Sequence, residues 1–140
     1  MRILGLDPGE KRIGVAITDP LGITAQGVKV ITYTSMEEAL EQIKKICLDY
    51  EVDKVVIGHP LNMNGSRGPA SEKALLFATR LQQMLGVSVV MVDERLSSVS
   101  AEKTLISAGV SRKNRRDLKD KLAATLILEL YLSSQKSNSS

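Results

Sequence analysis

Four carboxylates in this chain stand where apolar segments end or a helix begins. Asp7 closes the short run "RILGLD", Glu94 follows "VSVVMVD", and Asp117 and Asp120 lie three residues apart at the head of the last helical segment. Carboxylate oxygens are hard donors suited to Mg²⁺ or Mn²⁺, which keep positions open for water and a substrate phosphate. Acids brought together repel one another unless a cation lies between them. Two such cations about 4 Å apart can activate a water and stabilise the leaving oxygen of a phosphodiester. Taken singly, each acid has a plainer role as a turn former or helix cap. What matters is whether the fold brings them together.

Cations cluster around these acids. Lys11 and Arg12 follow Asp7 across the turn "PGEK", and Arg95 directly follows Glu94. The loop "PLNMNGSRGP" holds Asn62, Asn64, Ser66 and Arg67 and no acid, a composition that lets backbone N–H groups and side-chain donors approach a phosphate. The stretch "SRKNRRDLKDK", residues 111 to 121, carries six cations against two acids. Its Arg112, Lys113, Arg115 and Arg116 would hold a nucleic-acid backbone without reading its sequence, as an arm ordered by substrate. The same pattern also suits a solvated face. His59, beside Pro60, reads as structural, because metal-assisted hydrolysis needs no such base.

The elements that must position these residues follow from periodicity and punctuation. "RILGLD" and "RIGVAIT" read as a hairpin, with Gly9 available for a positive φ, and a third strand lies in "TAQGVKVITY". "SMEEALEQIKKICLDYE" opens with Ser35 and Glu38 in capping-box spacing and carries Leu40, Ile43, Cys47 and Tyr50 along one stripe. "DKVVIG" is a fourth strand, and a second helix faces inward with Ala74, Ala78, Leu81 and Leu85. "VSVVMVD" is a fifth strand, expected to be buried on both faces. A short helix over residues 98 to 108 and a last one from Leu118 to Ser133 complete the series. The expectation is an α/β domain over residues 1–134, followed by a disordered polar tail over 135–140. Its sheet would be mixed and five-stranded, a three-strand antiparallel meander followed by parallel strands, with helices on both faces. Sites in such sheets form beyond the carboxyl ends of the strands.

Composition bounds the rest. With 43% hydrophobic and 25% charged residues, 140 residues make one ordinary globular domain. A net charge of +3 permits a polyanionic partner without demanding one. The single cysteine, Cys47, rules out an internal disulfide framework and fits a reducing cytoplasm. The longest apolar segment, "LAATLILELYL", is too short for a bilayer span and contains Glu129, so no membrane is expected. The chain has no Trp, one Phe (Phe77) and three Tyr, none adjacent in sequence, which favours phosphate and shape over stacked bases as the target.

Four blocks, "GLDPGEKRIGVAITD", "VVIGHPLNMNGS", "VDERLSS" and "DKLAATLIL", occur in order between residues 5 and 128. Together they resemble the YqgF family, relatives of the RuvC-type Holliday-junction resolvases within the ribonuclease H-like fold. The resemblance implies that fold and a metal-dependent nuclease with Asp7, Glu94 and Asp120 as catalytic, metal-holding acids. Asp120 is chosen over Asp117 by the "AA" and apolar run that follow it. Related resolvases place an acid at the end of the fourth strand, where this chain has Gly58, His59 and Pro60; either Glu94 supplies that ligand from the neighbouring strand, or the site holds one metal ion tightly and a second poorly.

The implied substrate is the 5′ end of pre-16S rRNA in ribosome biogenesis, or else a branched DNA junction. The implied partners are these nucleic acids and ribosomal assembly intermediates, and the chain would act as a monomer or homodimer. A non-cleaving nucleic-acid-binding factor is the reading from a different class. A phosphotransferase ranks last, since kinases that open with a similar hairpin need two such domains and no Walker-type loop is present.

Overall fold

The computed structural model describes residues 2–9, 11–60, 64–93, 109 and 112–138, the last stretch with side chains over 118–135. Strand β1 (Arg2–Pro8) turns into β2 (Arg12–Thr18), which turns into β3 (Ala25–Thr32). Helix α1 (Met36–Asp49), strand β4 (Val52–His59), helix α2 (Pro69–Leu85), strand β5 (Ser88–Asp93) and helix α3 (Arg112–Asn138) follow. The five strands form one sheet in the order β3-β2-β1-β4-β5. β1–β2 and β2–β3 pair antiparallel, while β1–β4 and β4–β5 pair parallel. This is the expected mixed sheet.

Strand alternation divides the sheet into two unlike faces. Leu4, Leu6, Ile13, Val15, Val55 and Ile57 point to one side and build the larger core with Ile43 of α1 and Leu81 of α2. Fully burying each such side chain contributes roughly 1.5–3 kcal/mol. The other side carries small residues. There α3 lies across β1, β2 and β3, with Ala124, Ile127, Leu128 and Tyr131 against Ala16 and Val56.

Glycines set how closely α3 approaches the sheet. A Cβ on Gly5 would fall 2.4 Å from Leu128 Cγ, and one on Gly27 would fall 3.0 Å from Lys121 Cβ. Helix α1 is capped by Ser35, whose Oγ accepts from Glu38 N at 3.2 Å. Glu38 does not close the box on Ser35 but accepts from Thr34 Oγ1 at 2.7 Å. Helix α2 begins with Pro69 after Gly68 and ends at Gly86, whose φ of 67° closes the last turn.

Three local expectations change. Gly9 is not among the positive-φ residues; a glycine is needed there because a Cβ would lie 2.8 Å from Arg12 O. β5 is the edge of the sheet, so Val89 to Val92 are only partly buried. Helix α3 starts at Arg112 and runs to Asn138, so helical backbone covers both the basic stretch read as an arm and residues 135–138 of the expected polar tail. Lys, Arg and Leu are good helix formers, and between Gly109 and the chain end there is no Gly or Pro to stop the helix. The short helix expected over 98–108 lies outside the described residues.

Candidate active site

The register of the first hairpin decides where Asp7 points. Asp7 is the Cα partner of Gly14, and residues directly opposite in an antiparallel pair share a face. Gly14 faces α3 so closely that a Cβ there would be 2.1 Å from the carbonyl oxygen of Asp120. Asp7, from the end of β1, and Asp120, from α3, are therefore brought to one spot at the carboxyl end of β1. They are 113 residues apart in sequence (120 minus 7).

Arg12 joins them. It lies two residues before Gly14 on the same face, and its Nη2 donates to Asp120 Oδ2 in a salt bridge. The two side chains are only 19% and 18% exposed, so water screens this pair less than a surface ion pair. The pair fixes the Asp120 carboxylate beside Arg12 at the start of β2.

Lys11 goes the other way. With opposite parity to Arg12, it lines a cavity on the α1/α2 side with Ile13 and Phe77. The hairpin thus splits two adjacent cations between two faces. Gly9 N donates to Arg12 O at 2.8 Å across its turn, and Tyr33 pins it from the second face by donating its hydroxyl to Gly9 O.

The glycine-rich loop shows internal order. Gly65 has φ 86°, and Asn64 Oδ1 accepts from Ser66 N at 2.9 Å and Ser66 Oγ at 2.6 Å. Asn64 and Ser66 thus build the turn and, with Arg67, stay exposed. His59 lies on the face opposite Asp7 and shares a hydrogen bond of 2.5 Å with the fully buried Ser71 of α2. That supports its structural reading. Asn62, Glu94 and Arg95 lie outside the described residues, as do the side chains of Arg112, Lys113, Arg115, Arg116 and Asp117. Among the described residues no group of three His, Cys, Asp or Glu side chains forms a metal cluster.

Gly14 was missed by the reading of motifs. A lone glycine inside an apolar strand marks a bulge or a close backbone approach, and that signal would have located the seat of α3.

A mixed sheet in the order 3-2-1-4-5 with a helix crossing β1 and β2 on one face is a ribonuclease H-like fold. Comparison with solved structures agrees. Thermus thermophilus RuvC in complex with a Holliday junction substrate superposes with a TM-score of 0.61 at 15% identity, covering 96% of each chain. The fowlpox virus Holliday junction resolvase gives 0.56 at 16% identity, covering 96% of this chain and 99% of that one. In sequence the chain belongs to the RuvX family, described as Holliday junction resolvase, which it matches over residues 1–134.

Curated relatives are nearer. A protein of Carboxydothermus hydrogenoformans named "Putative pre-16S rRNA nuclease" is 53% identical over 138 residues, covering 99% of this chain and all of its own length. A protein of the same name from Listeria innocua is 50% identical over 134 residues, covering 94% and 97%.

Proposed function

We propose that this chain is a divalent-metal-dependent nuclease that hydrolyses phosphodiester bonds in structured nucleic acid, maturing the 5′ end of pre-16S rRNA during ribosome biogenesis in the cytoplasm. The observation that carries the chemistry is the meeting of Asp7 and Asp120 beside Gly14. The substrate follows from the relatives that share about half of this sequence over nearly its full length.

The donor set fits Mg²⁺ or Mn²⁺. Asp7 and Asp120 offer only carboxylate oxygens, the ligands these cations prefer. Glu94 is the third holder. Asp93 is the register partner of His59, so β5 reaches its end level with the end of β4, where related resolvases carry an acid. When bound, the cation supplies Lewis-acid stabilisation of the charge that develops on the scissile phosphate.

The chain's own groups do the rest. Arg12 holds Asp120 in position and adds positive charge where a phosphate must approach two acids. Arg95 extends that charge beside Glu94. Arg67, with Asn62, Asn64 and Ser66, contacts the backbone from the loop, and Arg112, Lys113, Arg115 and Arg116 do so from the first turns of α3. These contacts position without reading sequence.

Cleavage of a labelled pre-16S 5′-end fragment and of a four-way DNA junction, each with Mg²⁺, Mn²⁺ or EDTA, tests this reading. The expected result is metal-dependent cutting of the RNA, reduced on the order of 10²-fold or more in Asp7→Asn and in Asp120→Asn. The family description favours a second reading, resolution of branched DNA, and cutting of the junction alone would establish it. Binding of either substrate with no cutting by the wild type would leave a non-cleaving factor.

A further inference from the structure

The side of the sheet away from Asp7 holds a cavity of about 510 Å³ at the carboxyl ends of β1 and β4. Its walls come from the first hairpin, the segment after β3 and the opening turns of α1 and α2, including Pro8, Lys11, Tyr33, Met36, Lys73 and Phe77. The volume lies in the range of sites that enclose a small organic group. Among the described residues the lining is mostly apolar, its only charged members are two lysines, and no carboxylate reaches it.

Two aromatic residues distant in sequence, Tyr33 and Phe77, both line it. Phe77 is buried in the wall, and Tyr33 stands at the rim with Lys73 Nζ 5.5 Å from its ring centroid. Lys73 also donates to Tyr33 Oη at 3.3 Å. An apolar slot with aromatic walls and lysines at its mouth complements a flat, weakly polar group that carries an attached anion. A nucleotide has that form.

Position ties this cavity to the acids. Asp7 and Pro8 are consecutive, one on the α3 face and the other lining the cavity, and Lys11 and Arg12 are divided the same way. A strand crossing the hairpin would present a phosphate to Asp7 and Asp120 on one side and a neighbouring base to Tyr33 and Phe77 on the other. We propose that the cavity binds an unpaired nucleotide beside the scissile phosphate, its base against Tyr33 and Phe77 and its phosphate held by Lys11 and Lys73. This rests on the nuclease reading and deepens it: the substrate must be single-stranded next to the cut. A base locked in a duplex cannot enter the slot.

The test compares two fluorescein-labelled RNA hairpins, one blunt and one with a short 5′ single-stranded extension, by fluorescence anisotropy in EDTA. Ala70→Leu fills the mouth of the cavity from an exposed position on the first turn of α2, away from the acids, and Lys73→Gln removes one cation. The wild type is expected to bind the extended hairpin on the order of tenfold more tightly than the blunt one. Both variants should abolish that preference while keeping the wild-type Tm, and Ala70→Leu should also keep the affinity for the blunt hairpin.

Equal wild-type affinities, or a preference that survives Ala70→Leu, overturns the proposal. So does an equal thermal shift from AMP alone, which would make this a mononucleotide site. Cleavage of the extended hairpin with Mg²⁺, wild type against Asp7→Asn, separates the two readings. Asp7-dependent cutting without the binding preference removes the cavity proposal and leaves the nuclease. A preference lost in Ala70→Leu without Asp7-dependent cutting removes the nuclease and leaves the cavity as a nucleotide site.

Discussion

At the scale of single residues, Gly14 carries more of the site than its lack of a side chain suggests. The atom that a Cβ would strike is the carbonyl oxygen of Asp120, a backbone atom of a packed helix that cannot rotate away. Gly14→Ala must therefore push α3 off the sheet, and urea unfolding should show a loss of about 3 kcal/mol. Gly5→Ala strikes Leu128 Cγ, with the Ala124 carbonyl oxygen 3.1 Å away; the buried Leu128 must shift, and because the first atom met is side chain the loss should be somewhat smaller than at Gly14. Equal small losses at both positions would mean that α3 is not seated where Asp120 needs it. Cys47 has a different sensitivity. Burial pushes its thiol up from 9.0 to about 11, which keeps it neutral and unreactive in the fold. Because the folded value lies above the unfolded one, the stabilisation it brings is complete below pH 9 and is lost as pH rises through 11. The urea midpoint of the wild type should fall over that interval more steeply than that of Cys47→Ala. An identical pH dependence in both proteins would show the thiol to be solvated.

At the scale of elements, what could be read from the sequence was whatever local chemistry dictates. Ser35 and Glu38 announce the start of α1, and the Ser35 cap is present. Removing its hydroxyl in Ser35→Ala should cost about 1 kcal/mol, measured by the same unfolding experiment; no change would mean that Thr34 and Glu38 hold the turn unaided. The hairpins and the parallel strands were equally legible, because period-two runs and turn residues fix them. Other features depend on tertiary packing that no short window contains. α3 starts six residues before the expected Leu118: a run of cations reads as solvated chain, although Lys and Arg are good helix formers. The direction of Asp7 needed the hairpin register, and the choice of Asp120 over Asp117 needed the family pattern. Tyr33 and Phe77 are far apart in sequence and share a cavity only because the start of α2 lies beside the segment after β3, so aromatic scarcity in the sequence concealed it.

At the scale of the whole molecule, charge placement matters more than charge total. Nineteen cations nearly balance sixteen acids, so the net +3 supplies little general attraction for nucleic acid. Binding must come from cations gathered at one end of the sheet, and their number can be read from salt dependence. Each phosphate neutralised on a duplex contributes about 0.9 to the slope of log affinity against log salt. If Lys11, Arg12, Arg67 and Lys73 act alone, the slope is about −3.6, and affinity falls about a hundredfold between 50 and 200 mM salt. If Arg112, Lys113, Arg115 and Arg116 also contact phosphates, the slope is about −7 and the loss exceeds about ten-thousandfold. The continuity of α3 favours the larger value, since its first turns lead directly to Asp120. The measurement is a salt titration of duplex binding in EDTA, by wild type and by a variant with those four residues changed to Gln. A slope that falls by half in the variant makes the start of α3 part of the substrate path. An unchanged slope makes it a solvated face and confines the grip to the hairpin, the loop and the first turn of α2.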